Sequence, residues 1–554
     1  MSNKYHLISN FNIDPLRGCI LNFDQQATVS VAPYGQVIQE LYNSDLAKDS
    51  QIVIWASPKS VIPTFSEAQR LNKVNEKECL EEVKKYSEAI ITLAKKHRYI
   101  FLASWVIEKN IKNYGILDWR PNIGLANKLA KMNIYISELL SKYENIYILD
   151  SQYWYQNTEN VLPKIWYATK VPYSSVVFQN AAENICSASS ALNGFSKKLI
   201  ILDLDNTLWG GVIGDLGIEG INLGGHNYIG EAFKDFQETL LSLSNRGIQL
   251  AIVSKNDESV ALDAIDNHNE MLLKRNYFSG WRINWNDKAS NIRALLNELN
   301  LGESSVIFID DNPIERDWVK KSMPDVLVPD WPSDPTQYVR ALSKLNCFGL
   351  PSLSNEDRNR TKMYVADRKR REIKESTASL EDWLLSLKTK AIIHTLNKNN
   401  INRISQLFNK TNQLNLKTRR LSQDEIEKWV NINKKKKKIF IIEVKDRLGD
   451  LGLVGIITLE QVDSVVNIVD FILSCRVMGR KIENLMIWLA LNYTKKVEAK
   501  MLRAQLIPSK RNRPTHDILI ASILECTGKN IFEVSSKIKM EPPKELFIES
   551  QVIE

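Results

Sequence analysis

The 554-residue chain has little of what marks several common protein classes. Its six cysteines, Cys19, Cys79, Cys186, Cys347, Cys475 and Cys526, lie far apart with no CxxC pair. That spacing argues against a disulfide framework or a thiolate zinc site and fits reduced thiols. Long apolar runs are missing, and none reaches the roughly 18 residues that span a bilayer. The opening MSNKYHLISNFNID lacks the basic start and extended apolar core of a secretory signal. These absences lead to the expectation of a cytoplasmic protein with no membrane partner. Charge of one sign is scarce as well. Against 65 acidic residues stand 73 basic ones, a formal net charge of +8. That is too dilute for a dedicated nucleic-acid binder, yet compatible with an acidic protein partner. No internal repeat occurs, and no low-complexity tract beyond the five lysines at 434–438.

What is present is ordinary globular material. Hydrophobic residues are 44% and charged residues 25%, a balance that excludes disorder as the main state. At about 150 residues per domain the length implies three or four domains. Residues 1–195 alternate apolar runs (YHLIS, QIVIWA, RYIFLASWV, NIYILD) with helical patterns over 79–97 and 122–143, which predicts a parallel sheet covered on both faces. A second α/β segment, 196–350, carries KLIILDLD, QLAIVS and SVIFIDD, separated by helical patterns such as 231–246 and 288–299. Charge density rises in 351–390, where RNRTKMYVADRKRREIKE reads as an exposed, solvated connecting helix. In 391–554 a helix (401–410) precedes three strand-like runs, KIFIIEVKD, GLVGIITLE and VVNIVDFILS, joined by short turns as in an antiparallel meander. A helix (482–494), a strand (501–507) and a final helix (514–527) complete the pattern.

The most informative stretch is Asp203-Leu204-Asp205-Asn206-Thr207, directly after an apolar strand. Strand alternation puts Asp203 and Asp205 on one side of the chain, at the carboxyl end where open α/β sheets hold their ligands. Two carboxylates so placed can divide the work, one as nucleophile and one as proton donor and acceptor. Neutralising a phosphate requires a hard cation and donors. Later strand ends supply them: Ser254 after LAIV, Asp310-Asp311 after VIFI, and Lys288 opening the helix between. The expected cation is Mg²⁺, held by Asp203, Asp310 and the Asp205 carbonyl. The gaps after Asp205 and Ser254 leave no room for a large cap domain, and residues 208–228 read as a small glycine-rich flap.

These four ordered motifs resemble the haloacid dehalogenase superfamily of phosphotransferases. The resemblance implies that Asp203 becomes the aspartyl phosphate, that Asp205 is the general acid and base, and that Ser254 and Lys288 bind the phosphoryl oxygens.

In the last segment, Cys475-Arg476-Val477-Met478-Gly479-Arg480 joins a strand to a helix. A glycine turn opening a helix offers N–H groups and a positive dipole to an anion, and Arg476 and Arg480 add charge. The order of elements with Arg-x-x-Gly is similar to the N-acetyltransferase fold, which binds the pyrophosphate of coenzyme A at this turn. Cys475 beside such a site would have a lowered pKa and more thiolate. PSKRNRPTHD (508–517) departs from the usual asparagine-then-tyrosine ending of an acetyltransferase, which speaks against acetyl transfer itself.

The whole chain resembles the FkbH-like family, which makes glyceryl thioesters on acyl carrier proteins for polyketide-type pathways. The residues that carry this are ILDLDNTLWGGVIGDLG, FIDDNPIER, KTNQLNLKTRR, DRLGDLGLVG and LSCRVMGR, with SNFNIDPL, APYGQ, LDWRPNIGL and PKIWYATKVPYS nearer the start. The implied fold is a haloacid dehalogenase-type Rossmann-like core between an N-terminal SGNH-like α/β domain and a C-terminal N-acetyltransferase-like α+β domain. The implied chemistry takes a glyceryl group from 1,3-bisphosphoglycerate, removes its remaining phosphate and loads it on the phosphopantetheine thiol of an acyl carrier protein. Cys475 would carry the intermediate thioester, with Arg476, Gly479 and Arg480 holding the phosphopantetheine arm. The SGNH resemblance carries no catalytic set: Ser9 lacks a preceding Gly-Asp, and Asp150-Ser151-Gln152-Tyr153 ends without the histidine such hydrolases use. That domain is expected to dock or support. Two other readings stay open: a phosphatase for a small phosphorylated metabolite, and a silent scaffold for carrier proteins.

Overall fold

The computed structural model describes residues 3–550 apart from 44, 48, 108–113, 157, 159–160, 226, 351–359, 397–399, 411–413, 418, 420, 422, 432–435 and 510–511. They form two compact units, Met1–Lys197 with Arg340–Ser352, and Lys198–Val339 with Leu353–Glu554.

The first unit is built on one parallel sheet. Its strands β1 (Lys4–Ser9), β2 (Thr28–Val31), β3 (Gln51–Trp55), β4 (Tyr99–Ala103) and β5 (Ile146–Leu149) lie in the order β2-β1-β3-β4-β5. Every pairing is parallel. The runs are apolar on both sides because helices cover both faces. Glu76–Ala94 and Leu125–Leu140 pack on one face, and Asp14–Phe23 and Ser175–Leu192 on the other. β2, TVSV, is missing from the sequence reading because a four-residue edge strand is too short to show a period. Residues 340–352 return to this unit, where Lys197 N–H donates to the Cys347 carbonyl at 2.9 Å.

The second unit opens with β6 (Leu199–Leu202), β7 (Gln249–Ser254), β8 (Phe278–Ile283) and β9 (Val306–Ile309), all parallel, in the order β8-β7-β6-β9. β6, β7 and β9 are buried along their whole length. β8, FSGWRI, escapes the sequence reading because Gly280 and Arg282 interrupt its apolar run. It is an edge strand, and Arg282 reaches Glu298 at 2.6 Å.

The helix Arg360–Glu375 corrects the expectation of a solvated connector. Met363, Ala366 and Arg370 are buried. The Arg368 guanidinium lies 3.3 Å from the ring centre of Trp281 on β8. Arg371 reaches Glu298 at 2.8 Å, and Arg370 makes a fork to Asp446 at 2.8 and 2.9 Å. Charge alone conceals such burial, because arginine packs its stem and satisfies its planar head against carboxylates and rings.

The rest is an eight-stranded mixed sheet of β10 (Lys390–His394), β11 (Lys437–Asp446), β12 (Gly449–Val462), β13 (Val465–Leu473), β14 (Met501–Gln505), β15 (Glu525–Gly528), β16 (Ile531–Ser535) and β17 (Phe547–Ser550). The order is β15-β16-β14-β13-β12-β11-β10-β17. β11, β12 and β13 form the antiparallel meander read from the sequence. Helix Ile482–Lys496 packs on one face and Ile401–Lys410 on the other. β14 runs parallel to β13 only between Val465–Ile468 and Met501–Ala504. Farther along, Leu414–Leu416 joins the two: Leu473 N–H donates to the Leu414 carbonyl at 3.1 Å, and Ile507 N–H to the Leu416 carbonyl at 3.0 Å. The final helix is shorter than expected, Arg513–Ile520. Gly528-Lys529-Asn530, with Asn530 at φ +62°, makes a tight turn that draws the preceding residues into β15. Among the described residues no helix is long and apolar enough to cross a membrane.

Candidate active site

The site follows from the strand order of the second unit. β6 lies between β9 and β7, so the residues leaving these strands converge at one end of the sheet. Asp203 leaves β6, its N–H bonded to the Ile309 carbonyl at 3.0 Å, and Asp310 leaves β9 beside it. Ser254 ends β7 on the other side and is buried. Lys288 opens the helix Lys288–Leu299, capped by Asp287, and lies almost wholly inside the protein. Its Nζ sits 3.1 Å from Asp203 Oδ2 and 2.6 Å from Asp310 Oδ2. Asp203, Asp310 and Lys288 thus meet at one point, with Lys288 bridging the two carboxylates, and Ser254 ends the neighbouring strand.

Asp205 is held separately. Its Oδ1 accepts from the Trp209 indole N–H and the Ile213 backbone N–H, both at 3.0 Å, and its Oδ2 accepts from Asn256 Nδ2 at 2.9 Å. Trp209 and Ile213 belong to the small flap, which is pinned by paired backbone bonds between Gly210 and Asn222 at 3.0 and 2.8 Å. Asn206, at φ +52°, turns the chain and accepts from Gly211 N–H at 2.8 Å. Tyr338 fixes the same turn by donating to the Asn206 carbonyl at 2.8 Å.

Five further residues here lie outside the expected set. Asp311 joins Asp203 and Asp310 in a cluster whose carboxylate oxygens lie within 4.8 Å of one another. Arg316 holds the Asp310 and Asp311 carbonyls at 2.8 and 2.7 Å, and Thr207 Oγ1 accepts from Asp311 N–H at 3.3 Å. The Asp-Asp doublet was the visible signal for Asp311. Trp209 and Asn256 could be identified only from the fold.

Charge makes the cluster unstable alone. Burial, reinforced by the Asp203 charge, pushes the Asp310 carboxyl up to about 7. Asp311 is raised for the same two reasons, and Asp205 chiefly by burial. Burial works against the Lys288 ammonium, but Asp203 and Asp310 outweigh it and its pKa rises. Asp203 Oδ1 is buried with no hydrogen-bond partner. An orphaned carboxylate oxygen beside two further carboxylates is the donor set of a hard divalent cation, so Mg²⁺ fits the residues present.

The expected anion turn is less simple. Arg480 is buried, and its Nη2 donates to Asp446 Oδ2 at 2.6 Å and to Thr389 Oγ1 at 3.0 Å. It points into the protein rather than presenting its charge at the surface, because Asp446 compensates two buried guanidiniums at once. Arg476 is half-buried against Met363, and Gly479 is exposed at φ +73°. The Cys475 side chain lies outside the described residues. In the first unit, Ser9 is buried and its Oγ accepts from Phe11 N–H at 3.2 Å.

The second unit therefore holds an aspartate- and lysine-lined site at the carboxyl end of a parallel sheet, with a short flap bonded to Asp205. Among solved structures the chain is similar to the N-terminal part of the protein BF1531 from Bacteroides fragilis, which contains a phosphatase domain and was crystallised complexed with Mg. The two are 28% identical with a TM-score of 0.57, over 63% of this chain and 95% of that one. An N-acetyltransferase from Staphylococcus aureus Mu50 is 14% identical with a TM-score of 0.22, over 27% of this chain and 99% of that one. Spermidine N-acetyltransferase from Vibrio cholerae is 14% identical with a TM-score of 0.21, over 26% and 96%. No protein-family model and no curated protein matches the chain.

Proposed function

We propose that the second unit is a Mg²⁺-dependent phosphatase of haloacid dehalogenase type, serving glyceryl transfer to an acyl carrier protein. The observation that carries the phosphatase reading is Lys288 bridging Asp203 and Asp310 beside a tethered Asp205. The Mg-bound phosphatase-domain neighbour supports it.

In this reading Asp203 Oδ1, which has no hydrogen-bond partner, and the carboxylates of Asp310 and Asp311 would hold Mg²⁺, with the Asp205 carbonyl as a further ligand. Bound there, the cation neutralises the approaching phosphate and lets a carboxylate come within bonding distance. Asp203 attacks phosphorus to form an aspartyl phosphate while Asp205 gives its proton to the departing alkoxide. Water then releases phosphate, with Asp205 taking the proton back. Lys288 and Ser254 hold the phosphoryl oxygens. Trp209, Ile213 N–H and Asn256 keep Asp205 aimed, because three donors fix both of its oxygens.

The acyl half rests on the FkbH-like motifs LSCRVMGR and DRLGDLGLVG. The Cys475 thiolate would attack the acyl carbon of 1,3-bisphosphoglycerate, expelling the acyl phosphate as inorganic phosphate, and the thioester would pass to the phosphopantetheine thiol with release of the Cys475 thiol, the carrier protein docking on the C-terminal segment with Arg476 and Gly479 nearest the arm. Arg480 would act through Asp446 in shaping the turn.

The test is intact-mass spectrometry of a phosphopantetheine-loaded carrier protein incubated with the enzyme, Mg²⁺ and freshly generated 1,3-bisphosphoglycerate. The expected result is a mass increase of one unphosphorylated glyceryl group. Phosphate release from small substrates without that increase would leave a phosphatase for a small phosphorylated metabolite.

A further inference from the structure

The first unit was expected to be non-catalytic, because Ser9 has no histidine partner. The fold assembles a different set. His6 on β1 and Ser30 on β2 are direct neighbours in the parallel ladder, so their side chains share one face of the sheet. His6 Nδ1 lies 2.8 Å from Ser30 Oγ, and His6 Nε2 lies 2.9 Å from Glu40 Oε1. Glu40 sits in the short helix Val37–Leu41 and is fixed by Asn43 Nδ2 at 3.0 Å. Burial is graded in the order a nucleophilic relay needs. Ser30 is exposed, while His6 and Glu40 are 6% and 7% exposed.

We propose that Ser30, His6 and Glu40 form a second active site, an acyl-ester or acyl-thioester hydrolase separate from the phosphatase. Ser30 Oγ attacks the acyl carbonyl carbon as its proton passes to His6 Nδ1. The C–O or C–S bond breaks, and His6 returns the proton to the leaving alcohol or thiol. Water, deprotonated by His6, then cleaves the acyl-serine to free acid and restores the hydroxyl.

Each role has a structural basis. Glu40 on Nε2 selects the tautomer that leaves Nδ1 free to accept from Ser30 at 2.8 Å, a shorter contact than the 3.3 Å from Ser30 Oγ to the competing Tyr5 carbonyl, which is the triad logic with the ring nitrogens exchanged. Burial lowers the His6 pKa against the opposing charge of Glu40, so the ring is the neutral base that attack requires. His97 is the other titratable group that bears on this ring. Donors for the oxyanion come from the sheet edge. Thr28 and Ala32 direct their N–H groups to β1, bonding Asn3 and Leu7 carbonyls at 2.9 and 2.8 Å. Alternation therefore turns the Val31 N–H, next to the nucleophile, away from β1 at the open edge.

The experiment is labelling of the full-length protein with a fluorophosphonate probe, which reacts with activated serines, followed by peptide mapping. The expected adduct is on Ser30. It should vanish in Ser30→Ala, form at least 100-fold more slowly in His6→Gln, and form at the parental rate in Asp203→Asn, which separates it from the phosphatase. Hydrolysis of p-nitrophenyl acetate should follow the same pattern. The wild-type chain, shown folded by its melting transition, overturns the proposal if it carries no adduct on Ser30. Equal labelling rates in wild type and His6→Gln also overturn it, since Ser30 would then be an ordinary surface hydroxyl.

Discussion

Asp203 has two duties in the proposed phosphatase, nucleophile and cation ligand, and exchanging its carboxylate for an amide of nearly equal volume separates chemistry from folding. Asp203→Asn should reduce phosphate release by roughly 10⁴-fold or more. It should leave the melting temperature intact or higher, because the Asp203 charge is one of the causes that raise Asp310 and Asp311. Phosphate release at the parental rate would remove Asp203 from the mechanism. Asn256 acts on Asp205 only through one 2.9 Å bond. Asn256→Ala should therefore lower kcat by about 10- to 100-fold with KM nearly unchanged, as expected when an aimed group loses one of its tethers. An effect confined to KM would instead place Asn256 on the substrate. Sequence reading reached the carboxylates and Lys288 because their chemistry is local and ordered along the chain. It could not reach Asn256 or the His6–Ser30–Glu40 set, whose members acquire their roles from neighbours 51, 24 and 34 residues away.

Among the elements, the helix Arg360–Glu375 shows how composition can mislead. Its arginines read as solvated, yet Arg370 and Asp446 are buried together, with side chains 5% and 0% exposed. Arg370→Ala removes a buried two-pronged contact but leaves Asp446 paired with Arg480 at 2.6 Å, so it should cost about 1.5–3 kcal/mol in a denaturant titration. Arg370→Lys should recover only part of this, since an ammonium cannot reproduce the two-pronged contact. A loss below about 1 kcal/mol would show that water reaches Asp446 and that the helix is the loose connector its charges suggest. The short edge strands β2 and β15 went unseen for another reason: four residues hold too few alternations to distinguish a strand from a loop, and only pairing reveals them.

At the scale of the whole molecule, two units with separate apolar cores should melt as two transitions in calorimetry, each answering to its own ligand or proton. Mg²⁺ at 100 times its dissociation constant should raise the transition of the second unit by about 2.7 kcal/mol and leave the first unmoved, and Asp310→Asn should abolish the effect. The first unit should answer to pH. His6 and His97 are both lowered from the ordinary histidine value of 6.5 by burial. Below that value the unfolded chain binds more protons than the folded one, so this unit should lose stability as pH falls from 6.5 toward the folded pKa values. His6→Gln should flatten that loss, and an unchanged acid limb would show that His6 is not buried neutral in solution. The sequence by itself determined the parallel sheets, the meander, and the placing of Asp203, Asp205, Ser254 and Asp310 at strand ends and of Lys288 at a helix start, because apolar periodicity and strand-end carboxylates are properties of contiguous residues. Only the tertiary structure decided that Asp311 completes the carboxylate cluster, that Arg480 turns inward to Asp446, and that His6 meets Ser30 and Glu40. Burial, shared counter-charges and ladder register arise when distant segments pack together, and no local pattern records them.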